Sequence, residues 1–146
     1  MAEEWALPVM VSTHPRTRAR LAAADRRVHP LVDFHSPFGF LDYNRLQLGA
    51  ACVLSDSGTI AEESTILGFP AVTLRSSIER PEALDTGAIT KTDLDPIALR
   101  TAIRFATSRG RGGERPSDYE VINTSERIVN FLLSTAFQHR SWSGLR

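Results

Sequence analysis

The stretch Asp56-Ser57-Gly58-Thr59-Ile60-Ala61-Glu62-Glu63 sets two hydroxyls, a glycine and a pair of carboxylates in close succession. It follows the apolar run Ala51-Cys52-Val53-Leu54 and leads into a helix-forming segment. The first turn of a helix carries backbone N–H groups without intrahelical partners and the positive end of the dipole. Ser57 and Thr59 add hydroxyl donors there, and Gly58 lets an anion come close to the backbone. Together these residues have the chemistry of a phosphate or diphosphate cradle. Neither the lysine-bearing P-loop pattern nor GxGxxG is present, so it is a different cradle from those two. Glu63 lies one helical turn, ~5.4 Å, beyond Thr59 on the same face, where a carboxylate can accept from both hydroxyls of a ribose. Glu62 points ~100° away, toward solvent or a neighbouring loop. The competing reading makes Ser57 and Thr59 ordinary helix caps and Glu63 an exposed charge, and local physics alone leaves both open.

Three further positions follow other apolar runs or adjoin them. Arg80, in Ile78-Glu79-Arg80-Pro81-Glu82, can close on a diphosphate with a planar two-pronged contact, or can pair on the surface with Glu79 or Glu82. His14, in Ser12-Thr13-His14-Pro15, can hold a leaving phosphate or shuttle a proton. Pro15 keeps it extended and facing the strand-end crevice, although a single histidine is usually structural. In Phe38-Gly39-Phe40-Leu41-Asp42-Tyr43 the aromatic rings can frame a flat base, with core packing the competing reading for Phe38 and Phe40. His29, His35 and His139 have no motif around them. The four histidines show no HExxH spacing and Cys52 is the only cysteine, so no metal site and no internal disulfide are expected.

These residues need a scaffold that brings strand ends together, and the pattern of the chain provides one. Apolar runs at residues 7–12, 31–34, 51–55 and 70–74 read as strands, with a further short one over residues 87–90. Helices are predicted over residues 16–27, 41–48 (Asp42 as cap), 59–67 (closed by Gly68), 95–107 (Asp95 as cap, with Ile97, Leu99, Ile103 and Ala106 on one face) and 122–137. Residues 108–117, rich in glycine and arginine, read as a mobile loop. Strand–helix alternation predicts an α/β fold, a Rossmann-like parallel sheet with helices on both faces, whose ligands bind at the carboxyl ends of the strands. With 146 residues one domain spanning 1–146 is expected. Seventeen basic and 17 acidic residues cancel, which argues against nucleic acid or an anionic membrane surface as partner. The lone cysteine, the absence of a long apolar stretch and the acidic start fit a cytoplasmic protein.

In order along the chain, VSTHPRTRARL, HPL, PFGFLDYNRLQ, LSDSGTIAEESTILGFPAVTLR, ERPEALDTG and DYEVINTSERIVNFLLS resemble the C-terminal domain of the non-hydrolysing UDP-N-acetylglucosamine 2-epimerase family. The resemblance covers almost the whole chain. STHPRTR and PFGFLDYN look closest to a bacterial polysaccharide branch acting on UDP-2-acetamido-2,6-dideoxy-talose-type sugars. The family implies the C-terminal half of a glycosyltransferase-B type fold. It also implies elimination of UDP across C1–C2 of a UDP-N-acetylhexosamine and its re-addition with C2 inverted, with no cofactor. By the same resemblance Ser57, Gly58 and Thr59 bind the diphosphate, Glu63 holds the ribose, Arg80 binds phosphate, Tyr43 lies near the uridine and His14 assists at the leaving UDP. The family's N-terminal domain carries a Gly-Thr-Arg-Pro-Glu loop and supplies the acid and base at C2; that loop does not occur here. The expectation is therefore a fragment without its N-terminal domain, or one half of a split enzyme, that binds UDP weakly and does not turn over alone. A glycosyltransferase domain and a non-catalytic UDP-binding partner are the alternatives. The closing helix of residues 122–137, deprived of a domain to cross onto, is expected to leave an apolar patch and favour self-association.

Overall fold

The computed structural model describes residues 2–24, 27–78 and 80–144. Residues 1–114 and 115–146 form two compact units. The first unit opens with a short helix, α1 (Ala2–Trp5), then β1 (Val9–Ser12), α2 (Pro15–Ala23), β2 (Val32–His35), α3 (Phe40–Gly49), β3 (Val53–Ser55), α4 (Ile60–Leu67), β4 (Ala71–Thr73), α5 (Glu82–Asp85), β5 (Thr90–Lys91) and α6 (Pro96–Ser108). All pairing is parallel. β1 runs beside β2, with Ser12 opposite His35, and β4 lies between β3 and β5, with Ser55 opposite Thr73 and Thr73 opposite Lys91. The result is the α/β architecture that the alternating pattern predicts.

β4 is the centre of the core. All three of its residues are buried, and successive side chains of a strand point to opposite faces. Ala71 accordingly joins Ile60, Ala61, Phe69, Ala83 and Ile89, with Val53 packed against them. Val72 joins Ala102, Ile103 and Ala106 of α6, with Leu54, Leu74 and Cys52 alongside. Helices α4 and α5 thus cover one face of β4 and α6 the other. Burying a side chain such as Val72, with none of its surface left to solvent, contributes about 1.5–3 kcal/mol.

Helix ends follow their local chemistry. Asp95 caps α6 by accepting from the amides of Ile97 at 3.0 Å and Ala98 at 2.8 Å, and Pro96 takes the first helical position, where its missing N–H costs nothing. Gly68 ends α4 in the left-handed region at φ 72°, which only glycine adopts freely. Three expectations need correction. Asp42 does not cap α3: the N-cap is Gly39, without a side-chain bond, and Asp42 sits inside the first turn. Ile97 is 71% exposed, so the buried face of α6 is Ala102, Ile103 and Ala106. Residues 108–113 are pinned rather than loose. Arg111 donates to the carbonyls of Leu48 at 2.6 Å and Ala50 at 2.8 Å, Gly112 N–H to Gly68 O at 3.0 Å, and Arg109 to Gly87 O. The polar loop therefore satisfies carbonyls at the ends of α3 and α4 that would otherwise lack donors.

The second unit has a 3-10 turn at Ser117–Tyr119 and two helices, α7 (Thr124–Thr135) and α8 (His139–Trp142). The single predicted helix of residues 122–137 is thus shorter and is followed by a separate turn of helix. Ile128, Val129, Phe131, Leu132 and Leu133 of α7 are all more than half exposed. Among the described residues no helix is long and apolar enough to cross a membrane.

Candidate functional site

The carboxyl ends of β3 and β4 deliver two loops to one place. β3 ends at Ser55, whose Oγ accepts the amide of Ser57 at 3.0 Å, and the turn Asp56-Ser57-Gly58 leads into α4 with Thr59 at the N-cap. The Thr59 hydroxyl makes no cap bond to the helix backbone. It donates instead to Glu63 Oε1 at 2.6 Å, one turn on, and lies 3.0 Å from Ser57 Oγ. Ser57 Oγ also accepts the Thr59 amide at 3.3 Å. The ordinary-cap reading of Thr59 therefore does not hold. Its hydroxyl belongs to a polar array running from Ser57 through Thr59 to Glu63, on the face and at the spacing expected from the sequence.

α3 supplies the other side. Gln47, 3% exposed, donates from Nε2 to Glu63 Oε2 at 2.6 Å. Both oxygens of the Glu63 carboxylate are thus held, each by a different element. Tyr43 lies one turn before Gln47 on α3. Its phenol is held above its ordinary pKa of 10.0, by burial first and then by the negative charges of Glu63 and Asp56. Those two charges place Tyr43 within the electrostatic reach of the turn and of Glu63. Gln47 Oε1 and Glu62 Oε2 are buried without a hydrogen-bond partner.

Arg80 reaches the same turn from the loop after β4. Its Nη1 donates to Gly58 O at 3.3 Å, and its Nε is ion-paired with Glu62. Glu62, expected to face solvent or a neighbouring loop, meets the loop. Arg80 is thus paired with a carboxylate that was not among the expected partners Glu79 and Glu82, and Glu79 lies outside the described residues. Glu62 and Gln47 are the two residues of this cluster that the sequence did not single out for a role. Gln47 had a signal, since its spacing of four from Tyr43 puts both on one helix face.

His14 stands at the end of β1 as the N-cap of α2, exposed and extended at φ −59° and ψ 144°. Its Nδ1 accepts the Arg16 amide at 3.3 Å, so the neutral ring carries its proton on Nε2. No hydrogen bond joins it to the Ser57–Glu63 array. Core packing is wrong for Phe40, which is 81% exposed. Phe38 is half-buried and its ring lies 5.2 Å from that of His35. His35 in turn bonds Asp33 Oδ2 at 2.8 Å. Among the described residues no three His, Cys, Asp or Glu side chains are placed to hold a metal ion.

A parallel α/β unit with hydroxyls, carboxylates and an arginine gathered at a helix N-terminus beside its strand ends belongs to the Rossmann-like folds. The family model for UDP-N-acetylglucosamine 2-epimerase matches residues 1–133, and the chain belongs to that family. It is 30% identical over 128 residues to the UDP-N-acetylglucosamine 2-epimerase of Methanocaldococcus jannaschii, across 85% of this chain and 34% of that protein. The structure of the Rickettsia bellii UDP-N-acetylglucosamine 2-epimerase superposes with a TM-score of 0.82 at 34% identity, over 95% of this chain and 40% of that one. The M. jannaschii enzyme in complex with UDP-GlcNAc and UDP gives a TM-score of 0.79 at 29% identity, over 91% and 37%. The chain thus spans little more than a third of the length of the relatives it matches.

Proposed function

We propose that residues 1–146 hold the uridine diphosphate part of a UDP-N-acetylhexosamine during epimerisation at C2. The observation that carries this reading is the array Ser57–Thr59–Glu63–Gln47 at the N-terminus of α4, with Arg80 beside it on Gly58. Family membership and the relative solved with UDP-GlcNAc and UDP support it. In this reading the diphosphate lies against the Ser57–Thr59 turn. The helix dipole, the two hydroxyls and the Arg80 guanidinium there stabilise the charge that develops as UDP leaves C1. Glu63 accepts from the ribose hydroxyls and Tyr43 lies near the uridine. His14, with its proton on Nε2, donates to the departing phosphate. Elimination gives a 2-acetamidoglycal, and UDP adds back with C2 inverted.

Abstraction of the C2 proton needs a positioned base. We assign that step to groups outside residues 1–146, in the remainder of a longer protein or in a partner chain. The STHPRTR and PFGFLDYN stretches support a substrate of the 6-deoxy type, made in the cytoplasm for a bacterial surface polysaccharide. The test is calorimetric titration of UDP into the wild-type chain and into Glu63→Ala. The expected result is one UDP per chain, bound at least tenfold more weakly by Glu63→Ala, since a hydrogen bond to a charged group is worth about 1.5–3 kcal/mol. Equal affinities would remove Glu63 from the site. The chain alone is expected to show no turnover of a UDP-N-acetylhexosamine; measurable epimerisation would overturn the assignment of the base to other residues.

A further inference from the structure

We infer that Gln47 is a positioning residue for ribose recognition: it fixes the Glu63 carboxylate so that one oxygen can pass from Thr59 to the ribose when a diphosphate arrives. This rests on the ribose role given to Glu63 above.

The Thr59 hydroxyl has a single hydrogen, and it is spent on Glu63 Oε1 at 2.6 Å. A diphosphate oxygen at the turn competes for that hydrogen, and a phosphate that takes it leaves Glu63 Oε1 without its donor. A ribose hydroxyl can replace it only if the carboxylate stays in place. Thr59 cannot hold it, because Thr59 has let go. Gln47 can. It comes from α3 rather than from the turn, it is 3% exposed, and its Nε2 stands 2.6 Å from Glu63 Oε2. The other carboxylate oxygen is therefore held by a buried group that the ligand does not touch. Diphosphate and ribose are then bound with positive coupling, the first releasing the acceptor that the second needs.

The test compares UDP, 2′-deoxy-UDP and inorganic pyrophosphate on the full chain, with Gln47→Met and Gln47→Glu. Methionine keeps the length and removes the donor. Wild type is expected to prefer UDP over 2′-deoxy-UDP, and Gln47→Met to lose that preference by about tenfold, or ~1.4 kcal/mol, with a much smaller change in pyrophosphate affinity. In Gln47→Glu two carboxylates face one another and share a proton as pH falls. The preference for ribose is expected to return on acidification in this variant alone. Equal losses for all three ligands would overturn the inference, because Gln47 would then support the fold and not the ribose contact. A wild type that discriminates, with Gln47→Met discriminating equally, would overturn it while leaving the UDP reading intact. A wild type that binds UDP and 2′-deoxy-UDP alike would overturn the inference together with the ribose role of Glu63, and a wild type that binds no UDP would overturn the UDP reading itself.

Discussion

Tyr43 and Cys52 report on the two sides of the fold. Burial, Glu63 and Asp56 all favour the protonated phenol of Tyr43. The folded chain therefore keeps that proton to higher pH than the unfolded chain. This contribution to stability is intact below pH ~10 and is lost as pH rises through the folded value. The chain has two tyrosines, so in Tyr119→Phe the tyrosinate absorbance titrates Tyr43 alone. Its midpoint is expected above 10.0, the ordinary value. Glu63→Gln is expected to lower it only partway, because burial is the larger cause. An unmoved midpoint would contradict the proximity of Glu63. Cys52, packed against the α6 face of the core, has its thiol pushed up to about 11 by burial. Its reaction with a disulfide reagent at neutral pH is expected to be slow until denaturant is added; fast labelling of the native chain would contradict its packing. The contacts at the site differ in how legible they were. Thr59–Glu63 is a helical spacing of four, visible in any helix-forming stretch. Gln47–Glu63 and Arg80–Glu62 join different elements, and only the packing of α3 and of the loop after β4 against α4 reveals them.

The starts and stops of helices were legible wherever a cap acts within a few residues. Asp95-Pro96 and Gly68 are such cases, and Asp95→Ala is expected to cost about 1 kcal/mol of stability, the usual worth of an N-cap, in a denaturant titration. Asp42 misled because it can cap only if the chain turns into the helix at that residue, and α3 begins two residues earlier, at Phe40. The glycine-rich loop misled for a different reason. Its composition promises freedom, but Arg111 spends its guanidinium on carbonyls more than sixty positions earlier in sequence, a contact no local pattern encodes. Arg111→Ala is expected to lower stability by about 1 kcal/mol and to speed amide exchange around residues 48–50 and 68. Unchanged exchange there would show that the loop does not hold the ends of α3 and α4.

The α/β class follows from alternation alone, and the parallel register of β3, β4 and β5 sets the turn before α4 beside the loop carrying Arg80. The short helices α1 and α5 were not read from the sequence. α1 has four residues and its Glu4 pairs with Arg104 of α6; so brief a helix leaves no periodic signal. The apolar face of α7, with Phe131 65% and Leu133 71% exposed, is expected to drive concentration-dependent association. Sedimentation should show it, and substitution of Phe131 and Leu132 by serine should reduce it; a monodisperse monomer at high concentration would contradict this. A diphosphate seated at the α4 N-terminus is tested most directly by a crystal structure of the chain with UDP. The predicted density places the pyrophosphate within hydrogen-bonding distance of the Ser57 and Thr59 hydroxyls, with the ribose on Glu63 and Gln47 still bonded to that carboxylate. Nucleotide bound elsewhere, with Thr59 still donating to Glu63 and the turn unengaged, would contradict it.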